Sequence, residues 1–440
     1  MVRMRSNVVP VYLPYACAMA IVSSLCPPAS AVAQDAQKTL DLDALIVEAL
    51  QKHPDLKRVR KGAAAAHEVP SQVRSLPDPL FRFGAENFRF DDPGLDTAAI
   101  TGLVFGVVQP FPFPGKLPKR RDVAEAQATV SDQEVELLEA LVIERVRRSY
   151  WQLHFAERAS RITQVSGEVI NTLTDVVHSR FAVGEAAQQD ALQAQVAYSR
   201  LRTDLQEREQ AVRSARRALN SAVGRPPDDQ LPPTKAPVQA ARAIDRVRLA
   251  KVALRQSPFL DVARSKVDLE NKSVREASYD RAPDLQIGAD YRLRGTVPGD
   301  PTQGADMFSI KFGISLPIWA RSKQKARIRE KRYRLAEAHA LEDSVVLEIT
   351  TRLERLVDEV ERLDAEIELY QRELLPEADE ALNASISDYQ VARVGFVSVL
   401  QNWEAELELQ IANERLLTDR EQRLAEVETL TGALLERLKP

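Results

Sequence analysis

A mainly α-helical fold with a small β part, built twice from one pattern, is what this sequence predicts. Its 440 residues are 28% charged and 6% aromatic with only 16 glycines, the usage of long helices rather than of an average globular domain. Landmark residues recur at a nearly constant spacing along the chain. Four short runs alternate apolar residues with polar or small ones, and long segments with a narrow apolar stripe follow each pair.

The first 33 residues read as an export signal. Arg3 and Arg5 precede an apolar run, Val8 to Leu25, and Ala31-Val32-Ala33 gives a small-x-small site before Gln34. Pro10 and Pro14 interrupt that run, and no second run of membrane-spanning helical length follows. Both cysteines, Cys17 and Cys26, fall inside the signal, so the mature chain has no thiol for a disulfide or a metal. Ser23-Ser24-Leu25-Cys26 and Pro14-Tyr15-Ala16-Cys17 both fit the context of a lipid anchor poorly. A net charge of −4 offers no basic field for nucleic acid.

The first repeat, 34–230, opens with a helical pattern from Leu40 to about Ser75, broken by His53-Pro54 near its start and Pro70 near its end. Leu76-Pro77-Asp78-Pro79 stops the helix, and strands are expected at about 80–90 and 101–113, with Asp91-Asp92-Pro93-Gly94 between them. The stretch 117–182 has no proline inside the helical pattern beyond its first turn and reads as one long helix, about 100 Å at 1.5 Å per residue. Its stripe through Ile162, Val165, Val169, Leu173 and Val176 steps by three and four. Tyr198, Leu205, Val212 and Leu219, on the helix 187–223, fall on sevens. Both are coiled-coil seams. Gly224-Arg225-Pro226-Pro227 ends the unit, and a Pro-rich linker placed at mid-height follows.

The second repeat, 231–440, restates the first. Pro54, Leu56 and Pro79 match Pro258, Leu260 and Pro283 at an offset of 204; Gly106 and Pro110 match Gly313 and Pro317 at 207; Phe181, Val183 and Leu192 match Tyr389, Val391 and Leu400 at 208. Strands are expected at about 284–294 and 307–318, then a long helix 322–390 and a shorter one 394–437. On the strands Leu285, Ile287, Ala289, Tyr291 and Leu293 alternate with polar residues and glycine, as do Phe308, Ile310, Phe312 and Ile314. Pro376 marks a bend in the second long helix.

Strands of about ten residues with one apolar face suit a barrel wall with lipid outside and water inside, and Phe111, Phe113 and Trp319 stand where an aromatic girdle belongs. Two surface hairpins on a helical bundle would show the same alternation. Four strands cannot close on themselves, and open edges cannot stand in lipid, so a barrel needs strands from several chains. Two chains give eight strands, whose interior side chains fill; three give twelve, the smaller count that leaves a bore.

At this point the residues resemble the TolC-type outer-membrane efflux proteins. The likeness rests on Leu76-Pro77-Asp78-Pro79, on Pro110 with Gly115-Lys116, and on Arg180-Phe181-x-x-Gly184 with Asp190-x-Leu192-x-Ala194-Gln195. Ala218-Leu219-Asn220-x-x-x-Gly224-Arg225-Pro226-Pro227 adds a fourth motif. The resemblance implies a homotrimer with a twelve-stranded transmembrane β-barrel in the outer membrane of a Gram-negative bacterium and an α-helical tunnel in the periplasm. The tunnel tips would meet a periplasmic adaptor (membrane fusion) protein bound to an inner-membrane pump of the RND type. The heavy-metal branch of the family has stretches like Pro77-Asp78-Pro79 and Pro114-Gly115-Lys116-Leu117, a pointer to cargo without an assignment. The competing functions are a periplasmic adaptor, which needs more short strands than these four, and a coiled-coil scaffold.

No enzyme or cofactor is expected. His53, His67, His154, His178 and His339 are scattered without the i, i+4 spacing of a helical metal pair, and no phosphate-cradling glycine motif occurs. The tips are the candidate site. Gly184 suits a tight turn between helices, and Phe181 and Tyr389 are expected to plug the seams just before the two turns. The resemblance places a ring of acidic residues just past the tips. Asp190 matches it in the first copy, whereas Ser398 and Gln401 stand there in the second. Asp190 is equally readable as an ordinary exposed helix residue. Arg180 and Arg393 are candidates for bonds across neighbouring helices, and Val183 and Ala392 complete the turns.

Overall fold

The computed structural model describes residues 39–236 and 244–433. The expected export signal and the expected last turn of the final helix lie outside these residues. The chain is a pair of very long helical hairpins joined to one four-stranded sheet.

Helix α1 (Leu42–Lys52) and helix α2 (Pro54–Arg74) meet at His53, which has ψ 126° and caps both. Its Nδ1 accepts the Asp55 amide proton at 3.2 Å, and Pro54 takes the first helical position, where a missing N–H costs nothing. Pro70 does not break α2, which continues to Arg74. A proline this close to the C-terminal end removes one hydrogen bond of the helix and leaves its exposed last turn standing. The same pair recurs as α5 (Arg246–Gln256) and α6 (Pro258–Tyr279), 204 residues later.

Strands β1 (Leu80–Glu86), β2 (Gly102–Phe111), β3 (Leu285–Leu293) and β4 (Met307–Ile314) pair antiparallel in the order β1-β2-β3-β4. β1 stops short of residue 90 because Asn87 takes φ 59° and its side chain donates to the Ile100 carbonyl at 3.1 Å, turning the chain back. β4 ends well before 318, as Pro317 and the turn at Trp319 leave the ladder.

Helix α3 (Lys116–Ala182) has 67 residues, so about 100 Å. Gly115, at φ 102°, turns the strand into it with the Tyr279 ring so close that no side chain fits. Lys116 is buried, and its ammonium donates to the Ala282 carbonyl and the Asp284 carboxylate, both at 2.8 Å. The Gly-Lys motif thus fastens the start of α3 to the start of β3. Helix α4 (Gln188–Val223) returns from the tip and ends at Gly224, φ 87°; the Asn220 side chain donates to the carbonyls of Pro227 and Asp229 and folds the linker back.

The second hairpin is not a copy in every detail. Helix α7 (Gln324–Leu369) passes through a π-helical turn, Tyr370–Leu374, into helix α8 (Leu375–Gln390); helix α9 (Phe396–Thr431) climbs back. The π turn lies just before Pro376, whose ring would otherwise strike the Arg372 carbonyl. The expected long helix 322–390, with its bend at Pro376, is therefore two helices joined through a π bulge just before that proline.

Among the described residues the core has three parts. Leu56, Leu153 and Leu219 centre one at mid-length, and Leu260, Leu356 and Val427 centre its repeat. Each such fully buried side chain contributes on the order of 1.5–3 kcal/mol. The third part lies at the tips and is shared by both hairpins.

Candidate functional site: the hairpin tips and the sheet

Both tips close with one turn. Gly184 and Ala392, at φ 81° and 59°, follow the last helical residues, and the amides of Gly184 and Ala392 donate to Phe181 and Tyr389 at 3.0 and 3.1 Å. Glu185 and Arg393 then donate to Arg180 and Asp388, each at 2.8 Å. This is the Schellman pattern, which consumes helix-end carbonyls and needs a left-handed residue. Gly184 adopts that conformation freely; Ala392 does so at a cost of about 1 kcal/mol.

Arg180 crosses from the first hairpin to the second. Its guanidinium donates to the Tyr389 carbonyl at 2.5 Å and lies 5.0 Å from the centre of the Tyr389 ring. Tyr389 is 6% exposed and meets Phe396 edge-on at 5.6 Å. Burial raises the pKa of its phenol, the Asp190 charge raises it further, and Arg180 offsets part of this. Asp190 stands on the first turn of α4.

Other expectations for this region need correction. Phe181 plugs no seam within the chain: it is 43% exposed, because the hairpin-to-hairpin contact that covers Tyr389 lies on the second copy's side. Among the described residues of one chain, the Arg393 side chain is exposed and stands 3.6 Å from Asp388 of its own tip rather than reaching another helix. Val183 is exposed, as are Ser398 and Gln401. Gln401 lines a groove between α4 and α9 with Leu192, Val196, Val397 and Leu400.

The sheet has two unlike faces. Phe83, Phe105, Tyr291 and Phe308 form one cross-strand row and Phe81, Val107, Ala289 and Ile310 the next, all on one face and mostly exposed. The other face carries Arg82, Gly106, Asp290 and Ser309 in one row. β1 and β4 are the edges, each with one side unpaired.

Set against known proteins, the chain matches the family model described as outer membrane efflux protein over residues 45–225 and 249–434. The chain belongs to that family. This efflux protein is 22% identical, over 77% of its length and 78% of the relative's, to the cobalt-zinc-cadmium resistance protein CzcC of Cupriavidus metallidurans. It is 21% identical to the outer membrane efflux protein BepC of Brucella suis over 84% of its own length and 80% of that protein's. Its fold superposes on the outer-membrane channel OprN with a TM-score of 0.75 at 16% identity, covering 90% of each chain. The efflux protein is therefore an outer-membrane channel with a periplasmic extension, the outer-membrane component of a tripartite system with adaptor and pump partners. Family and fold are those of passive channels rather than enzymes.

Among the described residues no three His, Asp or Glu side chains group as metal ligands. His154 is buried and its Nδ1 lies 2.9 Å from the Thr234 hydroxyl, where burial lowers its pKa. Phe396 and Trp403, at the heart of the tip, were not singled out by the sequence reading. A signal was present within α9: Phe396, Val399, Trp403 and Leu407 step by three, four and four along one helix face.

Proposed function

We propose that three copies of this chain form one duct, each adding its four strands to a twelve-stranded barrel and its two hairpins to a tunnel wall. The observation that carries this is the sheet itself. Its exposed apolar face needs lipid, its polar face needs water, and its two open edges cannot stand in a membrane unpaired. Phe111 and Phe113 at the helix-ward end of β2, with Trp319 just past β4, supply the aromatic belt at the inner boundary.

The tips form the entrance. Arg180 and Tyr389 hold the two hairpins together there, and three Asp190 carboxylates around the axis favour cations. The exposed groove of Leu192, Val196, Val397 and Leu400, rimmed by Gln401, receives a helical hairpin of the adaptor, which connects to a pump of the RND type.

The test uses the cysteine-free mature chain. One cysteine at Gly84 on β1 is combined with a second scanned along 307–313 on β4. Oxidation of outer-membrane fractions is expected to give a covalent trimer at one register. A membrane-inserted protein that stays monomeric at every register refutes the shared barrel.

A further inference from the structure

The geometry points to a belt inside the outer-membrane bore that attracts anions, centred on Lys311 and Arg82; it rests on the shared-barrel reading above. On the polar face of the sheet the Asp290 carboxylate lies 2.5 Å from the Lys311 ammonium and 3.3 Å from the Arg82 guanidinium. One carboxylate is thus shared by two cations from strands on either side of it. The Asp290 side chain is only 7% exposed, whereas Lys311 and Arg82 are 61% and 50% exposed. Water in the bore meets the cations and not the anion.

The surrounding residues make the excess count. Gly84, Gly106, Gly288 and Gly313 lie on the same face and carry no side chain to shield or balance it. Gly106 has a specific reason to be glycine, since a Cβ there would collide with the Asp290 carboxylate. Towards the outer loops, Arg292 pairs with Glu86 at 2.5 Å, a neutral pair that does not cancel the belt. Each chain therefore contributes one net positive charge at this height, and three chains surround the bore with six exposed cations. In 0.1 M salt such a field reaches about 10 Å from the wall. The ligand class is a multivalent anion, such as an oligophosphate or polycarboxylate, and the belt acts as a selectivity element opposite in sign to the Asp190 ring.

The full-length trimer in planar bilayers tests this with inorganic tripolyphosphate added to the loop side. One unit charge lost at roughly 8 Å from a tetravalent anion in screened water is worth a factor of about five. Lys311→Gln and, independently, Arg82→Gln are expected to weaken loop-side block at least about fivefold and shift the reversal potential in a KCl gradient towards cations. Asp290→Asn is expected to strengthen the block. Conducting channels whose block is the same in wild type, Lys311→Gln and Arg82→Gln overturn the belt while leaving the shared barrel standing. A wild-type protein that forms no channel overturns the barrel, and the belt with it.

Discussion

Arg180→Ala is the most informative single change at the tips. The side chain makes a charge-assisted hydrogen bond to the Tyr389 carbonyl, a class worth about 1.5–3 kcal/mol. It also sits over the Tyr389 ring at 5.0 Å, a half-shielded cation–π contact of about 0.5–2 kcal/mol. Its pairing with Glu185, 3.7 Å away and 65% exposed, adds under about 0.5 kcal/mol. These terms share one side chain and do not sum freely, so the loss is about 2–3 kcal/mol. At about 1.4 kcal/mol per factor of ten, amides in 388–396 should exchange hydrogen about 30- to 150-fold faster. Hydrogen exchange by mass spectrometry on the purified trimer measures this, with the segment 219–226 as an internal reference. Arg180→Lys keeps the charge but loses the planar fork, and should fall between. Exchange at 388–396 within twofold of wild type in Arg180→Ala would refute the inter-hairpin tie.

Four further substitutions test local geometry. Ala392→Gly should stabilise the second tip by about 1 kcal/mol, and Gly184→Ala should destabilise the first by at least as much, both read from local exchange. Arg225 beside Glu48 holds that carboxyl at about 2 instead of 4.5, so the clamp stabilises fully above about pH 4.5 and is lost as pH falls towards 2. With both side chains about a fifth to a quarter exposed, solvent screening leaves about 1–2 kcal/mol, which Glu48→Gln should remove at pH 7, lowering the thermal midpoint and flattening its acid dependence. Lys116→Met should cost about 1–3 kcal/mol, because the Asp284 carboxylate and the Ala282 carbonyl lose their donor together; an unchanged urea midpoint would contradict the anchor.

Much of this architecture is written in local chemistry. The turn residues Gly115, Gly184 and Gly224 mark element ends because the left-handed backbone they need is cheap only for glycine. Strand alternation and the repeated spacing placed the two unlike faces and the duplicated hairpins. What stayed hidden depends on contacts between distant segments. Nothing near Arg180 says that its partner is a carbonyl 209 residues away, and nothing in Phe181 says that its side is the uncovered one. Pro376 announces a disturbance, but whether a helix kinks, stops or widens into a π turn is decided by neighbouring packing. Pro70 carried the same mark and ended nothing.

The widened turn at Tyr370–Leu374 sets the mechanics of the two hairpins apart. The first hairpin descends on a single uninterrupted 67-residue rod; the second descends on a rod with a joint, where the ladder of i→i+4 bonds is replaced by longer ones and Pro376 donates none. A load applied at the tips is therefore shared unequally. The first hairpin carries it on one unbroken helix, whereas the second has its weakest point at one known height, and the sixteen residues of α8 beyond that point end at Tyr389, the residue that Arg180 ties to the first hairpin.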